Sequence, residues 1–447
     1  MTTALPASPP GPKGRRLVGN SYDYDRDRIG FLRRNLAEYG DVFSFSASTV
    51  FVNDPVLVHE IFNRTNTDFI AEVSILADGE DMARLERNMD AWMSSRKIGF
   101  QAMTKSVILA HGARLAEDFD RALEAAGTAS YDVMPVMRTL ASHTVADFLF
   151  GPGAEDVVDA AGLRSDLVLK YMASNFSIPK WLPLPRVRRA VRAEDQVHAT
   201  IEAHIDERAA HPHAQPQDML DLLLADADSG LTKENLVALL AASMLASFGS
   251  PSAALSWMIA EMTCRPEEHE KLRTEARTVL AERGALDDDG PLTYTKAFVK
   301  EVLRLHPPTW LMGRRARYDT QLGDWTIRKG QELMFSPYLL QRDPRWWSEP
   351  DELRPDRWLG TVPPESRRAY VPFGSGPRVC LGLHLSLYQL AMATARLAGL
   401  YRIEAESTQF TGMPGAMLVP GSLRARITRL EEPAPAQAGN ALSGAGS

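Results

Sequence analysis

Only two cysteines, Cys264 and Cys380, occur in the 447 residues of this chain. That scarcity argues against a disulfide framework, a Cys-rich zinc site and an iron–sulfur cluster, each of which needs more thiols. A basic excess is missing as well. Lys and Arg number 50 against 57 Asp and Glu, a formal net charge of −7, whereas a dedicated nucleic-acid binder shows the opposite balance. No run approaches the roughly 20 uninterrupted apolar residues of a membrane span. The start, MTTALPASPPGPKGRR, lacks the apolar core of a secretory signal. The expectation is a cytoplasmic protein with no membrane anchor. No internal repeat and no long linker interrupts the chain. What is present is a globular composition, 45% hydrophobic and 24% charged, able to bury a large core.

Length alone suggests about three domains, but the texture between the two tails argues for one. Residues 1–16 are Pro-rich and read as an extended, flexible start. Residues 431–447 are rich in Pro, Ala, Gly and Ser and read as a disordered tail. A single domain over 17–430 remains. Periodicity predicts a helix over Arg28–Tyr39, short strands near 41–45 and 49–53, and mostly helix from Val56 to Leu305. A mixed segment over 306–360 and a last helix over 381–398 follow. The fold class is mainly α with small β-sheets (α+β), not alternating βαβ units. A long helix starts at a Thr232 cap and runs to about Cys264. It is apolar nearly all round, so it should cross the interior. Pro251 in its middle removes a hydrogen bond and should kink it.

The segment YVPFGSGPRVCLGLHLS places Cys380 in a glycine-rich loop at a helix start, where free N–H groups stabilise a thiolate. Gly374 and Gly376 allow tight turns. Gly382 leaves room for something flat, and Arg378 offers a fixed positive charge. Cys264, at a helix end, reads as a packing residue. GSGPRV superficially matches a dinucleotide loop but lacks the last glycine and the βαβ context. His211 and His213 lie in a Pro-rich loop and read as solvated. Arg186, Arg188, Arg189 and Arg192 read as an exposed helix face.

The spacing Phe373, Gly376, Arg378, Cys380, Gly382 resembles the heme-binding signature of the cytochrome P-450 family, Phe-x-x-Gly-x-Arg-x-Cys-x-Gly. Further elements follow family order. AWMSSRKIGF carries Trp92 and Arg96, KEVLRLHPP carries Glu301 and Arg304, and DELRPDRW carries Arg357. The resemblance spans about residues 17–430. It implies a triangular-prism fold with heme b (iron protoporphyrin IX) between the long central helix and the helix after the cysteine loop. Cys380 becomes the thiolate ligand of the iron, favouring O–O cleavage. Trp92, Arg96 and Arg314, or Arg315 if the alignment slips by one, would hold heme propionates. Ala246, Pro372 and Phe373 would flank the cofactor. Glu301, Arg304 and Arg357 would form a buried lock beneath the loop.

The central helix departs from the family. Anchored on Leu255-Ser-Trp257, Ala246-Ser-Phe-Gly249-Ser250-Pro251 covers the usual acid–alcohol motif. Gly249 stands at the acid position and Ser250 at the alcohol position, so Ser250 becomes the candidate proton relay, with water replacing the acid. The peroxide-using branch pairs Arg with Pro here, and this chain has no such Arg. The resemblance implies a monooxygenase acting on a moderately sized, largely apolar small molecule, in natural-product metabolism. It would be a monomer fed by a separate ferredoxin and ferredoxin reductase. Two alternatives stay open. One is non-oxygenating chemistry such as cyclisation, coupling, nitrogen-group transfer, rearrangement or a peroxide-driven reaction. The other is a heme sensor without turnover. The pocket is expected from Phe69–Met82, Leu169–Phe176, Met244–Ser250, Thr309–Met312 and Gly412–Met417, with Trp310 or Trp181 able to stack a ring.

Overall fold

The computed structural model describes residues 8–15, 19–71, 82–172, 185–225, 231–287 and 290–431. The long apolar run forms one helix, Lys233–Cys264. Thr232 caps it, its Oγ1 accepting from the Asn235 N–H at 3.2 Å. Apolar on every side, the helix can satisfy its surface only in the interior. It packs between the helices Val133–Phe150 and Leu383–Leu400, and Trp257, Met258 and Ile259 are essentially inaccessible. By length and composition it is apolar enough to cross a membrane. The helix is unbroken through Pro251. Ser252 Oγ donates to the carbonyls of Phe248 and Gly249 at 2.6 and 2.8 Å, which holds that turn together.

Strands gather into small sheets around this helical body. The largest orders Val42–Ser46, Thr49–Val52, Glu332–Phe335, Met312–Ala316 and Phe69–Ile70. All its pairings are antiparallel except that of Thr49–Val52 with Glu332–Phe335. The strands Gly412–Pro414 and Leu418–Pro420 form a hairpin, which packs on the central helix.

Several local expectations change. The Pro-rich start was expected to be flexible over 1–16, but residues 9 and 10 are tied to a strand. Ser44 N donates to Pro10 O at 2.7 Å, and Ser44 Oγ donates to Pro9 O at 2.6 Å. The Asp54-Pro55 step after the second strand is a helix start. Asp54 Oδ1 accepts from Val56 and Leu57 N–H, and Pro55 opens the helix Pro55–Asn63. The last helix is Leu383–Leu400. His213 is not simply solvated: its Nδ1 meets Asp221 at 2.8 Å, and Arg208 pairs with both Asp218 and Asp221. That guanidinium already occupies the carboxylates. Arg188, Arg189 and Arg192 are exposed, as expected of a solvated face. Cys264 is half-buried, its Sγ donating to Thr408 O at 3.0 Å in a surface cleft rather than in a core. The 432–447 part of the expected tail lies outside the described residues.

Candidate functional site

The cysteine loop is shaped by backbone constraints. Gly374 and Gly376 sit at φ +68° and +67°, where a side chain is strained. A Cβ on Gly376 would also lie 2.5 Å from Phe62 O. These turns bring the Cys380 N–H onto Phe373 O at 2.9 Å. Cys380 thereby lines a cavity with Pro372, Phe373, Arg378 and Gly382 from the loop and Ser386 and Gln389 from the following helix. Ala246, Ser247, Ser250 and Pro251 of the central helix face them, with Thr309 and Met312 at the side. A Cβ on Gly382 would meet nothing closer than Ser386 Oγ at 3.7 Å, so the glycine leaves open space beside the cysteine. Burial pushes the Cys380 thiol up, and the Gly382 N–H and the Arg96 charge pull it back.

Three guanidiniums converge near this cavity. Burial lowers Arg96, and burial alone lowers Arg314 to about 10. Arg378 also falls to about 10, through burial and then the charges of Arg96 and Arg314. Arg96 Nη2 donates to Val379 O, yet its buried Nε has no partner among the described residues. Arg314 Nε reaches Thr65 Oγ1 at 3.1 Å, and Arg378 Nε reaches Asn66 Oδ1 at 3.0 Å. Buried cations that repel one another, one with an orphaned N–H, form a site for an anionic group. Together with the accessible thiol and the flat space at Gly382, they fit the propionates and iron of a heme. The Trp92 side chain lies outside the described residues.

Strand phase separates Arg314 from the fallback Arg315. On Met312–Ala316 successive side chains alternate, so Arg314 points inward, and Arg315 faces outward and pairs with Glu332 at 3.1 Å.

The structure brings Glu301, Arg304 and Arg357 together, the first two fully buried and Arg357 half-buried. Glu301 accepts from Arg304 Nε and Nη2, both at 2.9 Å, and from Arg357 Nε at 3.1 Å. The Trp358 indole and the Arg354 backbone N–H complete its shell, each at 2.9 Å. Sequence reasoning missed the bridge to the cysteine loop. Gln341 Nε2 donates to the carbonyls of Leu303 and Arg304, and its Oε1 accepts from Val371 N–H at 2.8 Å. Its partners lie 30 to 38 residues away, and no local pattern marks it. Asn66 was also missed. It sits at φ +78°, and the Asn-Arg-Thr-Asn turn was the available signal.

Gly249 does not line the cavity, whereas Ser250 does. Ser243 Oγ and Ser247 Oγ donate back to helix carbonyls, but Ser250 Oγ leaves the helix for Met417 Sδ at 3.5 Å. Among the described residues, no carboxylate lines the cavity. Of the pocket segments expected, Met244–Ser250 and Thr309–Met312 contribute. Gly412–Met417 instead lines a separate outer groove. Residues 72–81, the Leu169–Phe176 side chains and Trp181 lie outside the described residues. Trp310 is not a stacking surface: it is buried and donates to Gly415 O at 2.9 Å.

A family model described as Cytochrome P450 matches residues 9–421. Ferruginol synthase of Salvia miltiorrhiza is 25% identical over 440 residues, 90% of this chain and 89% of that protein. Cyclooctat-9-en-7-ol 5-monooxygenase of Streptomyces melanosporofaciens is 28% identical over 283 residues, 61% of each. The solved structure of retinoic acid bound cyanobacterial CYP120A1 superposes with a TM-score of 0.77 at 22% identity, covering 96% of this chain and 100% of that one.

Proposed function

The chain belongs to the cytochrome P450 family, and from that premise we propose that it is a heme-thiolate monooxygenase oxidising a moderately sized, largely apolar small molecule in natural-product metabolism. Family membership makes it an oxidoreductase with a heme-iron cofactor. The finer reading is heme b, ligated by Cys380, with its propionates held by Arg96, Arg314 and Arg378. The observation that carries it is a half-buried thiol and Arg378 lining one largely apolar cavity, with the buried guanidiniums of Arg96 and Arg314 close enough to act on them. The names of the relatives point to terpenoid-like substrates, which the Ala246, Ala254, Leu303, Pro308 and Met312 walls suit. Electrons would come from a separate ferredoxin and its reductase, to a cytoplasmic monomer whose long apolar helix is buried rather than inserted in a bilayer.

When bound, heme supplies activation of dioxygen. The chain's own residues do the rest. The apolar walls exclude water and orient the substrate. Ser250 Oγ, the hydroxyl of this helix face not returned to the backbone, holds a proton at the cavity wall. The lock and Gln341 keep the cysteine loop in register.

The reduced, CO-bound protein should show a thiolate spectrum that Cys380→Ala removes; a spectrum that survives the substitution would sink the assignment. Turnover under labelled dioxygen should place label in the product. The missing carboxylate at Gly249 favours a second reading, non-oxygenating chemistry in the same cavity. Product that forms without label would select it.

A further inference from the structure

Two cavities meet at Gly249-Ser250. Ser250 faces the inner one, beside Cys380. Phe248 and Gly249 face an outer groove of about 1340 Å³, walled by the helices Val133–Phe150 and Glu155–Met172 and by the hairpin around Met417. Its lining mixes charged side chains, among them Asp25, Arg28, Arg138, Asp159 and Asp166, with apolar ones, of which Leu163 and Met413 are 58% and 54% exposed.

Met417 is the partition between the two. Ser250 Oγ donates to its Sδ at 3.5 Å, and a Cβ built on Gly249 would lie 3.1 Å from its Cε. The backbone on both sides of Met417 is tied down. Trp310 Nε1 donates to Gly415 O at 2.9 Å, Trp257 Nε1 donates to Leu418 O at 3.0 Å, and Leu418 N donates to Pro308 O at 2.9 Å. Trp257 is itself clamped, its indole stacked on the His306 ring with centroids 3.6 Å apart. A rigid frame therefore presents one unbranched side chain with three rotatable bonds. Met417 lines the groove, and its sulfur meets Ser250, which lines the cavity.

We propose that Met417 is the gate through which an apolar substrate passes from the outer groove to the inner cavity, and that glycine occupies position 249 to leave the thioether room. This rests on the functional reading above, in which the inner cavity holds the heme. Opening the gate also releases the Ser250 hydroxyl from the sulfur. A side chain at position 249 would press on the closed gate, its Cβ 3.1 Å from Met417 Cε, so the thioether would have to give way.

The test uses the heme-loaded enzyme and 4-phenylimidazole, followed by the shift of the heme absorption band in stopped flow. A gate changes the barrier and not the end states, so Met417→Ala should speed association and dissociation by the same factor, severalfold, with Kd unchanged. Leu163→Trp, at the exposed rim of the groove, should slow both. Wild-type rates in both variants would overturn the proposal. So would a changed Kd with an unchanged association rate, which marks a contact rather than a gate. The thiolate spectrum reports separately on the functional reading, while these rates report on the gate whatever residue ligates the iron.

Discussion

Neighbouring arginines on one strand show how much a single residue's direction decides. Arg314 and Arg315 are chemically equal, yet one is buried beside Phe62 and the other sits at the surface with Glu332. Arg96→Ala and Arg314→Ala should each speed transfer of heme to apomyoglobin by about tenfold or more, because a charge-assisted bond to a propionate contributes about 1.5–3 kcal/mol. Arg315→Ala should leave that rate unchanged. Ser250→Ala should lower the coupling of electrons to product severalfold, read as product formed per reductant consumed. Unaltered coupling would remove Ser250 from proton delivery. At this scale Cys380, Glu301 and Arg304 were legible because their signatures are local. The choice between Arg314 and Arg315 was not, because it depends on which face of a strand meets the core.

Elements are held to one another by a few buried polar groups rather than by apolar area alone. The helix Thr293–Leu305 meets the Pro355–Trp358 turn through Glu301. Glu301→Gln keeps the shape but leaves the Arg304 guanidinium, 0% exposed, without its carboxylate. Loss of one partner of a buried pair costs about 3–5 kcal/mol, so chemical denaturation should show a shift of that order. The hairpin depends on the central helix in the same way. Trp257→Phe preserves the stack on His306 but strips Leu418 O of its donor, and should cost about 1–2 kcal/mol. The central helix itself was legible from its Thr232 cap and its unbroken apolar texture. The hairpin's attachment was not, since Trp257 and Leu418 are 161 residues apart.

For the whole molecule, pH acts through groups remote from the cavity. Asp147 is pushed up to about 7, by burial first and then by the hydrogen bond and charge of Asp118, against the pull of Arg114 and Arg121. A carboxyl whose folded pKa lies above its unfolded value binds more protons when folded, so stability falls as pH rises from about 4 to 7. Asp147→Asn should flatten that decline and stabilise the protein at pH 8 by about 1 kcal/mol, after allowance for solvent screening of a half-buried group. Thermal unfolding at pH 5 and pH 8 measures both arms.

Sequence by itself determined the helix-rich class, the ligand-bearing loop, the lock and the family resemblance, because each rests on short-range spacing or composition. It also located the anomaly at Gly249-Ser250-Pro251. Tertiary structure alone decided what that anomaly faces. Gly249 turns to Met417 and an outer groove, Ser250 turns to the cavity of Cys380, and the two indoles that fix Met417 come from the central helix and from the segment after the lock. A residue's neighbours across 167 positions depend on how helices and hairpin pack, and packing is a property of the whole chain.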